Sequence, residues 1–224
     1  MKRCNGLLAS GLIGCFLVGV GTSTFGSITV NYGFSLNDPT PTVSDSDLKA
    51  EDAAFGTGGF NSDGGFSSGA AFVRSDDTSN VLTNAPVPAN GALDENDYIS
   101  LKVDISPLGA INGLTSYDVL SIAFDHEMFG GTIEDATYKA YLFSSLTGFD
   151  DGDQLASTNI TGIASEAGVA APRLTFNVAD DATVDQKDDL SGISEEIEFR
   201  IYLTSTSFVS GHVHFIDNIT ITTT

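Results

Sequence analysis

The sequence predicts an all-β fold, an antiparallel two-sheet β-sandwich with a jelly-roll-like arrangement. Apolar residues recur at every second position in many short stretches, and clusters of Gly, Asp, Asn or Ser bound each stretch. After the N-terminal segment, no stretch has the three-to-four spacing of an amphipathic helix. Two packed sheets need one apolar face per strand, so residues 24–224 are predicted to form a single β-sandwich domain.

The first segment, residues 1–23, has the layout of a secretory signal peptide. Lys2 and Arg3 precede an almost wholly apolar run at 7–20, and the small residues Gly21 and Ser23 that follow it fit cleavage after Ser23. The run is shorter than the about 20 residues that a membrane span needs. We therefore expect a secreted or cell-envelope protein with no transmembrane segment in the mature chain.

A lipoprotein signal is the alternative. The stretch "LIGC" ends in Cys15 and fits a lipobox, although apolar sequence continues after the cysteine. Cys4 and Cys15 are the two cysteines of the chain, and both lie within the predicted signal. The mature domain would therefore be held by its core or by bound ions, without disulfides.

The predicted strands of the domain are read from their period-two alternation. In "DYISLKVDI", for example, Ile99, Leu101, Val103 and Ile105 form one face. The predicted strands lie at 27–34, 97–105, 118–124, 137–146, 173–180, 196–205 and 211–224. Two regions break the pattern. Residues 36–47 are rich in Pro and Asp and predict an exposed loop. Residues 55–72 carry glycines and regularly spaced phenylalanines, which predicts a long anchored connection or, alternatively, a binding loop.

The charge of the chain excludes some partners. There are 9 basic and 30 acidic residues, for a net charge of −21. Such a surface repels nucleic-acid phosphates and anionic membranes, so we expect no nucleic-acid partner. The many aspartates fit either Ca²⁺ binding or solubility in a salty medium.

Several stretches resemble the β-sandwich domain of exported bacterial proteins of the PEP-CTERM-associated type. The matching stretches are "SITVNYGF", "DYISLKVDISP", "LSIAFDHE", "YLFSSLTGFDD", "EFRIYLTSTS" and "VHFIDNITI". The resemblance implies an exported, envelope-associated protein without an established enzymatic activity. The Pro-Glu-Pro sorting tail does not occur in these 224 residues, which leaves release, another anchor or truncation open. At the level of fold, the chain is also similar to jelly-roll carbohydrate-binding modules, in which acidic residues hold a structural Ca²⁺.

The sequence gives little support for catalysis. A serine hydrolase needs a nucleophile elbow, which is absent, and the mature chain has no cysteine. Glycoside cleavage needs two carboxylates at a set separation, and the best acid cluster is "DHE" at Asp125, His126 and Glu127. We predict a non-catalytic protein that binds an extracellular or envelope polysaccharide. The alternatives are a polysaccharide-active enzyme on a jelly-roll scaffold and a purely structural or adhesive surface protein.

Two sets of residues are weak candidates for metal ligands. His212 and His214 alternate on the last predicted strand and so share one face, where Zn²⁺ could bind with an acid from a neighbour, or where they could simply face solvent. Asp150, Asp151 and Asp153 surround a glycine in an acidic turn, which partly fits a calcium loop but lacks the EF-hand spacing.

Asp217 is the strongest metal candidate, because period two places it between Phe215 and Ile219 on an apolar face. A buried carboxylate is costly unless it is paired, hydrogen-bonded or bound to metal. A structural calcium ion, donors from a neighbouring loop or an arginine partner would each satisfy it, and a β-bulge would instead turn it outward.

Overall fold

The computed structural model describes residues 26–34, 38–56, 64–67, 70–74, 98–129, 133–150, 152–163, 169–170, 172–205 and 213–224. The predicted signal peptide therefore lies outside the described residues. In chain order, the elements are β1 (Ile28–Tyr32), β2 (Thr42–Val43), β3 (Leu48–Ala50), β4 (Ala54–Phe55), β5 (Gly64–Ser67), β6 (Ala70–Arg74), β7 (Tyr98–Ile105), α1 (Pro107–Asn112), β8 (Val119–Phe129), β9 (Ile133–Ser144), β10 (Ala156–Ile163), β11 (Val169–Ala170), β12 (Leu174–Asn177), α2 (Val178–Asp181), α3 (Val184–Asp189), β13 (Ile197–Ser205) and β14 (Val213–Thr223).

These strands form two antiparallel sheets, and the predicted β-sandwich is confirmed. In the first sheet, β8 and β14 are central, β11 and β12 pair with β8, and β1 and β6 pair with the other side of β14; β2 and β5 are outermost on that side. In the second sheet, the order is β10, β9, β13, β7, and then β3 and β4 side by side. No helix in the described ranges has the length and apolarity needed to span a membrane.

The core lies between the two sheets and is built from the alternating residues that the sequence predicts. Leu101 of β7 and Phe199 of β13 are fully buried on the inner face of the second sheet. Val30, Phe124 and Ile221 are fully buried on the first sheet. Burying a side chain of this size contributes roughly 1.5–3 kcal/mol, so the sandwich is held by apolar packing between its sheets.

Several features differ from the predicted elements, among them β2, which lies within the predicted exposed loop at 36–47. The predicted strand at 173–180 ends at Asn177, because Val178 starts the helical turn α2. β10 was not predicted, since "ASTNITGI" has few apolar residues. The predicted connection at 55–72 includes β5 and the start of β6, which pair with each other as a hairpin.

Candidate functional site

An open groove runs between the edge of the second sheet and the edge of the first. One wall is formed by residues 155–159, at the start of β10. The other is formed by residues 172–176, which include most of β12, and Asp181 lies at one end. We call it the edge groove; its volume is about 440 Å³. This size lies within the range of small-molecule sites.

Strand alternation decides which side chains the groove presents. On β10, Ser157 and Asn159 are exposed, while Thr158 is buried. On β12, Thr175 is exposed between the buried side chains of Leu174 and Phe176. The groove therefore combines an apolar floor with hydroxyl and amide groups along its rim.

Arg173 lines the groove just before β12, and its guanidinium forms hydrogen bonds to β8 and β14 of the first sheet. Its Nη1 donates to Asp125 Oδ1 of β8 at 2.9 Å. Its Nη2 donates to the carbonyl oxygen of Asn218 at 2.8 Å and to Thr220 Oγ1 at 3.3 Å, both on β14. Asn218 Nδ2 also donates to Asp125 Oδ2 at 2.8 Å. We call these residues, with Asp217, the bulge cluster.

A β-bulge places this cluster on the outer face. Asp217 lies opposite Asp125, but the next paired residue, Thr220, lies opposite Ala123, so β14 holds one extra residue here. Asn218 adopts a left-handed conformation with φ of 50°, which Asn tolerates better than most residues. The bulge shifts the alternation, so that Ile216, Ile219 and Ile221 are buried.

The prediction that Asp217 lies on the core face is therefore wrong, and the bulge alternative is the observed one. Asp217 is half-buried, and its Oδ1 accepts from the backbone N–H of Asn218 at 2.6 Å. Burial raises the pKa of Asp217, and the facing carboxylate of Asp125 raises it further. Burial acts in the same direction on Asp125, but hydrogen bonds from Arg173 and Asn218 hold the pKa of Asp125 below its usual value.

His126 lies behind the edge groove, inside the sandwich. It is fully buried, and its Nδ1 is 2.8 Å from Thr158 Oγ1, so the contact joins β8 of the first sheet to β10 of the second. Desolvation lowers the pKa of His126 to about 4, which keeps the ring neutral near pH 7. Its neighbours in sequence, Asp125 and Glu127, are on the opposite face of β8, so the three do not converge as one site.

The other predicted ligands are only partly described. Asp151 and His212 lie outside the described residues, and His214 is described through its backbone, which pairs with Met128. Asp153 Oδ2 accepts from the backbone N–H of Asp150 at 3.1 Å, so this carboxylate stabilises its own turn. Within the described ranges, no three His, Cys, Asp or Glu residues group so as to hold a metal ion.

The outer face of the second sheet carries a second cluster, which the sequence analysis missed. Tyr98, Tyr202 and Tyr141 are paired in one row across β7, β13 and β9. The guanidinium of Arg200 lies between the rings of Tyr98 and Phe149, at 4.0 and 3.9 Å from their centroids. Tyr141 and Tyr202 are only 3% and 2% exposed, so this row is not an open stacking surface.

A sequence signal for both clusters existed. With only 9 basic residues against 30 acidic ones, each arginine is expected to find a carboxylate. The identity of the partner depends on strand pairing, which the sequence alone does not give.

The described lining of the edge groove contains few groups that can transfer a proton. The lining contains one carboxylate, Asp181, and one guanidinium, Arg173, among hydroxyl, amide and apolar groups. Asp181 Oδ2 already accepts from the backbone N–H of Asn177 at 2.8 Å. Glycoside cleavage uses two carboxylates that flank the substrate, and these lining residues do not supply such a pair.

No protein-family model matches this chain, and no curated protein sequence matches it. The resemblance to PEP-CTERM-associated proteins therefore stays a prediction. Among solved structures, the chain is similar to an adhesin domain of Lys-gingipain from Porphyromonas gingivalis, with 14% identity, 85% of this chain and 97% of that chain covered, and a TM-score of 0.36.

It is also similar to a carbohydrate-binding module of the β-sandwich superfamily, with 9% identity, 84% and 59% coverage and a TM-score of 0.27. The structure of infectious bursal disease virus, Gx strain, gives 8% identity, 88% and 32% coverage and a TM-score of 0.28. At such scores these likenesses carry no argument about function, and the β-sandwich is established by the sheets themselves.

Proposed function

We propose that this protein is exported and, without catalysis, binds a neutral polysaccharide of the cell envelope or extracellular matrix in the edge groove. The observation that carries the proposal is the groove itself, with its apolar floor and its rim of Ser157, Asn159 and Thr175. Hydroxyl and amide groups match the hydroxyl groups of a sugar, and the apolar floor matches the faces of its rings.

Charge favours a neutral ligand over an acidic one. The net charge of the chain is −21, which repels polyanions. Arg173, the guanidinium in the lining, already has Asp125 as its ion-pair partner at 2.9 Å. An acidic sugar would therefore meet a neutralised cation within a negative field.

A glycan array with the full chain tests the proposal. We expect binding to neutral oligosaccharides, which titration calorimetry then quantifies. Thr175→Leu replaces a hydroxyl of the groove wall with a larger apolar side chain and is expected to weaken binding about tenfold. Thr40→Leu makes the same change at an exposed residue outside the groove and should leave the affinity unchanged. If no glycan binds, or if both variants weaken binding equally, the proposal is wrong, and absence of glycan binding would favour a purely structural protein.

The structural calcium ion also remains a proposal, with Asp217 as the first candidate ligand. Thermal melting with and without a chelator tests it, because an ion bound only by the folded state raises the melting temperature. An unchanged melting temperature would remove calcium from the account without affecting the glycan proposal.

A further inference from the structure

The two charged side chains that line the edge groove differ in how their charge is balanced. Arg173 has Asp125 as its ion-pair partner at 2.9 Å, so this pair is neutral overall. Asp181 lines one end of the groove and is exposed. Among the described residues, no lysine, arginine or histidine forms an ion pair with Asp181. The groove therefore keeps the negative charge of Asp181.

The carboxylate of Asp181 is positioned by its own helical turn. Asp181 is the last residue of α2, and its Oδ2 accepts from the backbone N–H of Asn177 at 2.8 Å. In the part of the chain that the structure describes, no donor contacts its Oδ1. A carboxylate accepts several hydrogen bonds through its two oxygens. One hydrogen bond thus orients this carboxylate, and acceptor capacity is left for a ligand.

The cation on the adjoining helix does not compensate this charge. Lys187 of α3 donates through its Nζ to the carbonyl oxygen of Ala179 at 2.6 Å. Lys187 and Asp180 line a different cavity, which lies between α2, α3 and the start of β8. The two consecutive carboxylates of α2 therefore line two different cavities, and Asp181 is the one in the edge groove.

We propose that the end of the edge groove at Asp181 binds the ammonium group of an amino sugar, so that the preferred ligand is a polysaccharide with free amino groups. The inference rests on the proposed glycan binding and changes one part of it. The ligand is neutral along Ser157, Asn159 and Thr175 and cationic where it meets Asp181. An ammonium group donates charge-assisted hydrogen bonds to a carboxylate, and these are stronger than hydrogen bonds between neutral groups.

The charge of the whole chain favours the same ligand. The net charge of −21 attracts polycations towards the protein and repels polyanions. Because Asp181 is exposed, its pairing with an ammonium group adds only modestly to affinity, by about fivefold at low salt. The amino group therefore selects among glycans, while the rest of the groove supplies the contacts common to all of them.

Two matched oligosaccharides test the inference. Oligomers of glucosamine carry ammonium groups, whereas oligomers of N-acetylglucosamine have the same sugar backbone and are neutral. Titration calorimetry with the full chain at about pH 6, where most amines are protonated, should show about fivefold tighter binding of the glucosamine oligomers at low salt. This preference should decrease at about 500 mM NaCl, because salt screens an exposed ion pair.

A matched pair of variants separates a contact in the groove from the general field of the protein. Asp181→Asn removes the charge but keeps an acceptor for the N–H of Asn177, and it should abolish the preference for glucosamine oligomers. Asp180→Asn makes the same change of net charge one residue away, in the other cavity, and should keep most of the preference. Equal melting temperatures of the two variants show that both are folded.

The possible failures are distinguishable. If the two oligomers bind equally, if the two variants have equal effects, or if only neutral glycans bind on the array, the inference is wrong and the proposed glycan binding stands. If no glycan binds at all, both are wrong.

Discussion

Each sheet carries an arginine–carboxylate pair on its outer face, and the two pairs are held in different ways. Arg200 lies between two aromatic rings and binds Glu198, two residues away on the same strand, through Nε and Nη2. Arg173 binds Asp125 and Asn218 through hydrogen bonds that cross from the start of β12 to β8 and β14. The side chain of Arg200 is 19% exposed and that of Arg173 is 38% exposed.

The two arginine pairs therefore have different structural roles: that of Arg200 is part of local packing, and that of Arg173 connects distant segments of the chain. Arg200 organises one strand and its aromatic neighbours, and its ion pair is shielded from solvent. Arg173 contacts solvent more but connects segments 45 to 48 residues apart in sequence. Shielded pairs respond to loss of packing, while exposed pairs respond to salt. The following experiments test this distinction, from the largest expected effect to the smallest.

The largest expected effect is a loss of folding stability in acid, and it arises from the buried His126 and not from either arginine pair. Burial lowers the pKa of His126 from its ordinary 6.5 to about 4 in the folded protein, so the folded state disfavours the protonated ring. Its contribution is intact above about pH 6.5 and is lost as the pH falls through 4, at a cost on the order of 3 kcal/mol. Denaturant unfolding at a series of pH values measures this loss. A His126→Gln variant should have a flatter profile between these values, and an identical profile would contradict the assignment.

Removing Arg200 should have the larger effect of the two arginine substitutions. Arg200→Ala removes contact with both rings and leaves Glu198 half-buried without its cation, which should cost about 2 kcal/mol. Arg200→Lys keeps the charge but loses the planar stacking and the two-point hydrogen bonding, so it should recover only part of the loss. Urea unfolding near pH 7 measures both. Full recovery by lysine would show that charge alone, and not stacking, holds this cluster.

Arg173→Ala should cost about 1 kcal/mol, because an exposed pair contributes less. The distinction from Arg200 is in the salt dependence. Between low and high salt, the cost of Arg173→Ala should decrease, and that of Arg200→Ala should stay nearly constant. Paired unfolding curves at two salt concentrations make the comparison. If salt reduced the destabilisation by Arg173→Ala and by Arg200→Ala equally, the difference in solvent exposure between the two ion pairs would not affect their contribution to stability.

The smallest effect is expected at Asp217, where two substitutions should differ in sign. Near pH 7 and with a chelator present, Asp217 faces the carboxylate of Asp125 and has a raised pKa, so its charge is unfavourable and Asp217→Asn should stabilise the calcium-free fold by about 0.5 kcal/mol. Asp217→Ala also loses the acceptor for the N–H of Asn218 and should destabilise it by a similar amount. The gain from asparagine should vanish in acid, where the aspartate is protonated. Stabilisation by alanine would show that the hydrogen bond does not support the bulge.

The parts of the fold that the sequence predicts are those in which burial on one face dominates. β7 and β13 alternate strictly, because their inner residues fill the core, and both strands were predicted with bounds close to the observed ones. β10 lacks this signal, since its place depends on pairing with β9 rather than on its own apolar residues. The face of Asp217 was mispredicted, because one bulge reverses the alternation and only Asn218, a residue type that tolerates positive φ, marks its position.

The candidate site was less predictable than the fold. The edge groove needs β10 and β12 to meet from different sheets, and the bulge cluster joins residues 45 to 93 positions apart. Alternation within a strand carries no information about such neighbours. The aspartate of "IDN" was rightly recognised as unusual, and its partner Asp125 lay in the acid cluster that the sequence had marked for another role.

The position of β14 in the chain has a consequence for biosynthesis. β14 is central to the first sheet, yet it follows β1, β6 and β8, all of which pair with it. During synthesis these earlier strands emerge without the strand that joins them, and their edges stay open until β14 is made. Non-local pairings of this kind fold slowly and leave intermediates that aggregate. The first sheet therefore cannot be completed before β14 is made, although the pairs β1–β2 and β8–β12 do not need it.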